Sequence, residues 1–376
     1  MDQSIPSPCF DLDEARLRHN LKTLKTVQDQ SGARIILALK GFALPAAFPI
    51  IRQYLPGTTA SSLNEARLGY ECFGGEVHLC APVYLPDEIE PLLDRASHIT
   101  FNSMTQWQRY KELFLRRQPG CSAAIRINPE HSEVQTDLYN PAIPGSRLGV
   151  PADELTEGLP EGIEGLHVHA LCECDADALE RLIAAVEQKF GHLLKQAKWL
   201  NLGGGHLIGR EGYDTVLLIR LVKRLRDIYG LEIILEPGAG VAWDTGVLVA
   251  TVEDRIERRG TRTLMLNVSF AAHMPDCLEM PYKPTVQGAR DPHPGETGWR
   301  LGGMTCLAGD YLGDYVFERD PAIGDRIVLE DMMHYTMVKT TMFNGVAHPS
   351  IGIWHENGTF ETVRRFGYDD YLHRIG

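Results

Sequence analysis

Short apolar runs rich in strand-forming residues recur through the first two thirds of the chain. They are RIILAL (34–39), GTTASS (57–62), EVHLCA (76–81), HITFN (98–102), SAAIRIN (122–128), GLHVHA (165–170), KWLNLG (198–203) and LEIILEP (231–237). Between most of them the apolar positions fall at helical spacing, as in SLNEARLGYECF, PDEIEPLLDRA, DALERLIAAVEQKFGHLLKQ and YDTVLLIRLVKRLRDIYG. Strands alternating with helices make parallel βαβ units. Eight such units predict a closed (β/α)8 TIM-type barrel over residues 13–243, with a doubly wound open sheet as the alternative. After about residue 245 the pattern changes. VLVATVEDRIER, TRTLMLNVS, DRIVLEDM and HYTMVKTTMF read as strands with no long amphipathic helix between them, and Gly and Pro punctuate the rest. This predicts a C-terminal, mainly β domain, a sandwich or barrel, over residues 244–376. The strand-like PSPCFDLD assigns residues 1–12 to it as well.

Composition narrows the function classes. The chain has 376 residues, enough for a barrel of about 250 residues and a second domain. The net charge of -13 disfavours nucleic acid, which needs a basic surface, and is compatible with a polycationic small molecule. No apolar run approaches the ~20 residues that span a bilayer. The first residues lack a basic region followed by an apolar stretch, so no signal peptide is expected. Eight scattered cysteines without a CxxC pair suggest no disulfide framework. The expectation is a cytoplasmic, reduced protein without a membrane segment.

The active site of a parallel barrel lies at the C-terminal ends of its strands. Lys40 ends the first predicted strand, and Ser61, Ser62 and Glu65 follow the second. Arg126 and Asn128 end the fifth, and His169 ends the sixth. Gly203, Gly204 and Gly205 follow the seventh, and Glu236 ends the eighth. Singly, each has an ordinary explanation. Lys40 reads as a solvated strand end, and it becomes a nucleophile only when desolvation lowers its pKa. A glycine run is often just a tight turn; between a strand and a helix it can also cradle a phosphate on its N–H groups. His167 and His169 share one strand face, and either is most simply a hydrogen-bonded core histidine. Glu236 is the least ordinary, because a carboxylate ending an apolar run needs a cationic partner. A protonated pyridine nitrogen is one such partner. A lysine, a phosphate cradle and a buried carboxylate at one mouth are the parts that pyridoxal phosphate needs.

At these residues the chain resembles the fold-type III pyridoxal-phosphate enzymes, the alanine racemase and ornithine decarboxylase superfamily. Within it, the chain is most similar to the carboxynorspermidine/carboxyspermidine decarboxylase branch. The matching stretches are LALKGFA (37–43), ASSLNE (60–65), IRINP (125–129), YNPAIPGSRLGV (139–150), HVHALCE (167–173), LNLGGGHLI (200–208), LEPG (235–238), SFAAHMPDCLEMPYKP (269–284), TCLAGD (305–310) and YTMVKTTMFNG (335–345). HALCE, LNLGGGHL, LEMPY and TCLAGD together carry the branch. The resemblance implies a pyridoxal 5'-phosphate barrel, a β domain, and a homodimer that completes its active sites across the interface. It makes Lys40 the Schiff-base lysine, with His169 stacked on the cofactor ring. Gly203, Gly204, Gly205 and Tyr335 are implied for the phosphate, and Glu236 for the pyridine nitrogen. Arg126 and Glu65 support the site, and Cys306 of the other subunit protonates the carbanion after CO2 leaves. Asp310 would face the substrate amines. Asp276 and Glu279 fall in the substrate-specificity segment, where carboxylates suit a long chain bearing a secondary and a primary ammonium. The implied reaction is decarboxylation of carboxynorspermidine or carboxyspermidine to norspermidine or spermidine.

Two positions depart from the pattern. Ornithine-type enzymes follow EPG with a phosphate-binding arginine and the polyamine branch with an acidic residue, whereas this chain has Ala239. Leu307 stands where ornithine-type enzymes have an aspartate, which disfavours ornithine. Three alternatives remain at this point. One is a diaminopimelate- or arginine-type decarboxylase. Another is a cofactor-binding but non-catalytic relative of the antizyme-inhibitor kind. The last is a metal-dependent barrel hydrolase using His167 and His169 with Cys172 and Cys174.

Overall fold

The computed structural model describes residues 5–117, 120–134, 136–143, 145–280 and 282–376. Residues 1–4, and Pro144 and Pro281 of the matching stretches, lie outside them. The chain divides into two compact units, residues 18–241 and residues 1–17 with 242–376. It opens with strand β1 (Cys9–Asp13) and helix α1 (Glu14–Ser31).

The larger unit carries β2 (Arg34–Ile35), β3 (Leu37–Ala38), β4 (Gly57–Ala60), β5 (Glu76–Cys80), β6 (His98–Phe101), β7 (Ser122–Arg126), β8 (Gly165–His167), β9 (Trp199–Asn201) and β10 (Glu232–Leu235). All neighbours pair parallel, in the order β2-β10-β9-β8-β7-β6-β5-β4-β3. β2 and β3 are the halves of one predicted strand, parted at Ile36. The first half pairs with β10 and the second with β4, so the sheet closes on itself. Ile36 N–H donates to the Leu235 carbonyl at 3.0 Å and Leu39 N–H to the Thr59 carbonyl at 3.1 Å. This is the predicted barrel, and its closure removes the open-sheet alternative. Strands covered on both faces must be apolar almost throughout. Ile36, between β2 and β3, accordingly meets Ala124 of β7, Trp199 of β9 and Ile234 of β10 in one buried cluster.

Between the strands lie α2 (Phe48–Ile51), α3 (Leu63–Leu68), α4 (Ile89–Leu93), α5 (Met104–Arg116), α6 (Ala176–Leu194), α7 (Thr215–Tyr229) and α8 (Ala239–Ala242). Three helices start on side-chain caps: Ser62 accepts from Glu65 N–H, Ser103 from Gln106 N–H and Asp214 from Leu217 N–H. Helix α6 buries Leu179, Leu182, Ile183, Val186, Phe190 and Leu193, the i, i+3, i+4 stripe its sequence shows.

The second unit contains β11 (Gly246–Arg258), β12 (Thr261–Leu266), α9 (Phe270–His273), α10 (Pro275–Glu279), β13 (Ala289–Arg290), β14 (Trp299–Gly302), β15 (Tyr311–Phe317), β16 (Arg326–Glu330), β17 (Ser350–Trp354), β18 (Phe360–Arg364) and α11 (Tyr368–Ile375). Its strands form a mixed sheet, β13-β15-β14-β12-β11-β1-β17-β18, with β16 also on β11. The N-terminal strand β1 sits inside this sheet, antiparallel to β11 and parallel to β17.

One predicted strand is corrected. Residues 334–339 form turns, 340–342 have no regular structure and Phe343 opens a short 3-10 helix. Tyr335 is left-handed at φ 48, and the N–H groups of Val338 and Lys339 both bond back to its carbonyl. A left-handed residue cannot continue a pleated strand, and alternation along the sequence does not reveal it. Among the described residues, no helix is long and apolar enough to cross a membrane.

Candidate active site

Lys40 lies two residues beyond β3, exposed, with Nζ 3.4 Å from Nε2 of His169. His169 lies two residues beyond β8. Its Nδ1 accepts the Gly204 N–H at 3.0 Å, and its carbonyl accepts from Arg126 Nη2 at 3.1 Å. Burial pushes the His169 pKa well below the ordinary value, and the charges of Lys40 and Arg126 add to the effect. The ring is therefore neutral. With Nδ1 accepting, its proton is on Nε2, the nitrogen that faces Lys40 Nζ. Glu65 stands on the first turn of α3, where Oε2 accepts the Ser61 N–H at 2.7 Å. Burial raises the Glu65 pKa, against the Ser61 bond and the Lys40 charge.

Glu236 follows β10 directly and is 7% exposed. Asn201 Nδ2 donates to Oε1 at 2.7 Å, and His167 Nε2 lies 3.4 Å from Oε2. Burial pushes the Glu236 carboxyl up. The His167 bond and charge, the Asn201 bond and the His78 charge outweigh it and bring the pKa to about 2. Glu236 is thus a buried carboxylate with two of its roughly four acceptor positions used. Behind it, His167 Nδ1 lies 3.9 Å from Cys80 Sγ, at the end of β5. Sequence reading missed Cys80 and Asn201. Both are the last residues of barrel strands, which is the signal that could have found them.

The glycine run differs in detail from the expected cradle. Gly203 N–H donates to Asn201 Oδ1 at 2.8 Å, and Gly204 N–H is the donor to His169. A Cβ at Gly204 would come within 2.5 Å of the Glu236 carbonyl oxygen. These two glycines lock the loop onto the ends of β8, β9 and β10. Among the described residues, the N–H groups of Gly205, Gly238 and Ala239 donate to no acceptor. The free donors are therefore split between two loops, and Ala239 still offers its main-chain N–H.

In the second unit the predicted residues are placed as follows. Asp310, 5% exposed, accepts four bonds. Oδ1 takes the N–H groups of Phe270 (2.7 Å) and Ala271 (3.0 Å), and Oδ2 takes the N–H (3.0 Å) and hydroxyl (2.6 Å) of Thr305. Its acceptor capacity is filled, so this geometry does not support the expectation that it faces substrate amines. It instead ties α9 to the loop after β14. That loop carries Cys306 exposed, its N–H donating to Asn344 Oδ1 at 2.9 Å. Asp276 and Glu279, on α10, share the ammonium of Lys339, which lies 2.6 Å from Glu279 Oε2. Tyr335 is half-buried in its turn.

The metal reading loses its ligand set. His167 is committed to Cys80 and Glu236, and His169 to Gly204 and Lys40. Cys174 Sγ donates to the Cys172 carbonyl. Among the described residues, no three His, Cys, Asp or Glu side chains converge as metal ligands.

Residues 24–333 match the family model described as pyridoxal-dependent decarboxylase, C-terminal sheet domain. The chain is 53% identical to the carboxyaminopropylagmatine decarboxylase of Synechocystis sp., over 99% of this chain and 96% of that protein. It is 41% identical to a carboxynorspermidine/carboxyspermidine decarboxylase of Campylobacter jejuni, over 98% of each. It also superposes on the crystal structure of carboxynorspermidine decarboxylase from Campylobacter jejuni complexed with norspermidine. The TM-score is 0.90 at 40% identity, over 98% of this chain and 100% of that one.

Proposed function

The chain belongs to the family of pyridoxal-dependent decarboxylases, and from that premise we propose that it removes CO2 from a carboxylated polyamine, with pyridoxal 5'-phosphate held on Lys40. The carrying observation is Glu236, a buried carboxylate kept ionised by Asn201 and His167 with acceptor positions to spare. The residues fit the cofactor: Lys40 for the aldehyde, Glu236 for the ring nitrogen, and the free N–H groups of Gly205, Gly238 and Ala239 for the phosphate. When bound, the cofactor supplies the electron sink for the bond that CO2 leaves.

The chain's own residues would do the rest. Glu236 would keep the ring nitrogen protonated. His169 would lie against the ring, fixed by Arg126 and Gly204. Glu65 would sit beside the Lys40 charge. Tyr335 would add a hydroxyl to the phosphate. Cys306 of a second copy would return a proton to the substrate carbon. Its loop is exposed, and Met304, Leu307 and Phe343 are 45–49% exposed, an apolar surface that supports a homodimer. Asp276 and Glu279, with Lys339 between them, would meet the substrate's distal cation.

Two end groups fall within this class. The norspermidine-bound relative supports an ammonium-ended substrate, carboxynorspermidine or carboxyspermidine. The higher identity to the Synechocystis protein favours a second reading, the guanidino-ended carboxyaminopropylagmatine. Borohydride reduction of the loaded protein should leave the cofactor on the Lys40 peptide, and Lys40→Ala should retain none. Uptake of no pyridoxal phosphate would overturn the reading. Comparison of kcat/KM for the three substrates then assigns the end group, and no turnover of any of them would remove the substrate class.

A further inference from the structure

Half-buried Cys80 and buried His167 and Glu236 form a chain across the ends of β5, β8 and β10, and the proposed reaction makes no use of its thiol end. We propose that Cys80 and His167 are positioning residues. The thiol decides which imidazole nitrogen carries the proton, and the imidazole then holds Glu236 ionised and in one orientation. The inference deepens the proposed function only in naming the cofactor ring as the user of that carboxylate.

A neutral imidazole has two tautomers. With the proton on Nε2 it donates to Glu236 Oε2. With the proton on Nδ1 it would turn a lone pair toward a buried carboxylate, which is repulsive. A thiol at Nδ1 selects the first tautomer by donating S–H. A thiolate selects the same outcome by accepting Nδ1–H from a doubly protonated ring. The proton moves only between Sγ and Nδ1, and in both states Nε2–H faces Glu236. The pair also stays neutral as a whole, so the interior holds the single charge of Glu236 either way. Asn201 pins the other oxygen at 2.7 Å.

The surrounding groups favour this arrangement. Cys80 is under the charges of His167, Arg126 and Glu236, and Glu236 is under that of His78. Arg126, Lys40 and His206 lie with His167 around His169, and Tyr84, facing Cys80, Cys121 and Glu236, is held neutral by burial. Burial pushes Cys9 and Cys121 up to about 12 and Cys277 to about 11. Cys80 shifts the other way, because His167 overcomes the burial.

The test uses nitrogen NMR of the histidine rings in the cofactor-free full chain, together with pyridoxal-phosphate binding. The His167 signal, assigned by its loss in His167→Asn, should show a protonated Nε2. Cys80→Ala should admit the second tautomer and weaken cofactor binding about tenfold, the lower end of what loss of an orienting partner costs at metal sites. Cys80→Ser should restore the tautomer and the affinity, while lowering the His167 pKa by about a unit or more because a hydroxyl does not ionise. That last readout stands even where Cys80→Ala fails to fold. A single Nε2–H tautomer with wild-type affinity in Cys80→Ala, or an unshifted His167 pKa in Cys80→Ser, overturns the inference. A wild-type protein that binds no cofactor but shows these ring signals would remove the proposed function and leave the tautomer relay standing.

Discussion

Asp310→Ala should loosen the loop that carries Cys306. The substitution removes the acceptor of three main-chain N–H groups and one hydroxyl. Phe270 N–H is fully buried and gains no water in exchange, so its loss belongs at the upper end of the ~1–3 kcal/mol range for an unpaired buried donor. The Ala271 and Thr305 donors are half-buried and belong near the lower end, while the Thr305 hydroxyl can rotate to solvent. The sum is about 3–5 kcal/mol for the β unit. For a unit of this size that corresponds to a melting shift of about 6–20 °C. Asp310→Asn keeps an oxygen for Phe270 and Ala271 but sets an amide NH2 against the Thr305 N–H, and should cost about 1–2 kcal/mol. The assay is thermal unfolding of the full chain alongside the alkylation rate of Cys306. The expected result is a lowered transition with faster alkylation, stronger in Ala than in Asn. A loss under about 1 kcal/mol with wild-type alkylation would refute the reasoning and return Asp310 to the substrate candidates.

Gly205 sits at φ 86 with its missing Cβ against the Leu171 carbonyl oxygen, so Gly205→Ala should lower barrel stability by about 1–3 kcal/mol in urea unfolding and weaken cofactor binding. Burial, with the charges of His78 and Arg34, pushes His98 down to about 3, and burial pushes His206 to about 4. Their folded pKa values lie below the unfolded ~6.5, so their contribution is complete above that pH and is lost as pH falls toward those values. The urea midpoint of the barrel should fall over that window, and His98→Gln should flatten the fall. Asp11, in the β unit, is pushed the opposite way by burial, to about 7, and its contribution is lost as pH rises through that value. Lys339→Met removes the cation shared by Asp276 and Glu279. KM for a polycationic substrate should then fall at low salt and the gain should fade at high salt; a salt-independent KM equal to wild type would take the pair out of substrate binding.

Much of the architecture was legible in the chain. Eight apolar runs, most of them separated by amphipathic helices, specify a parallel barrel, because strands covered on both faces must be apolar and crossover helices must be two-faced. Strand ends also announce the site, since a polar residue ending such a run has only the barrel mouth to occupy. Lys40, Arg126, His169 and Glu236 could be selected on that ground, as could the glycine loop. The resemblance added what periodicity cannot: the cofactor class, and candidate residues in the second unit.

What the chain determined alone was composition along a line: which segments are strands, which are helices, and which charges end them. Pairing across the barrel was decided only by the tertiary structure. Cys80, His167, Asn201 and Glu236 lie at the ends of four different strands, and no spacing relates them until the sheet closes. The bonding of Asp310 was hidden for the same reason. Its Oδ1 is filled by N–H groups of Phe270 and Ala271, some 40 residues earlier in the chain. The turn at Tyr335 was missed because a positive φ leaves no mark on alternation. Local sequence fixes backbone preference through sterics and burial. Protonation state and hydrogen-bond partners depend on which groups folding brings within about 3–4 Å, and that is a property of the closed barrel and the assembled sheet.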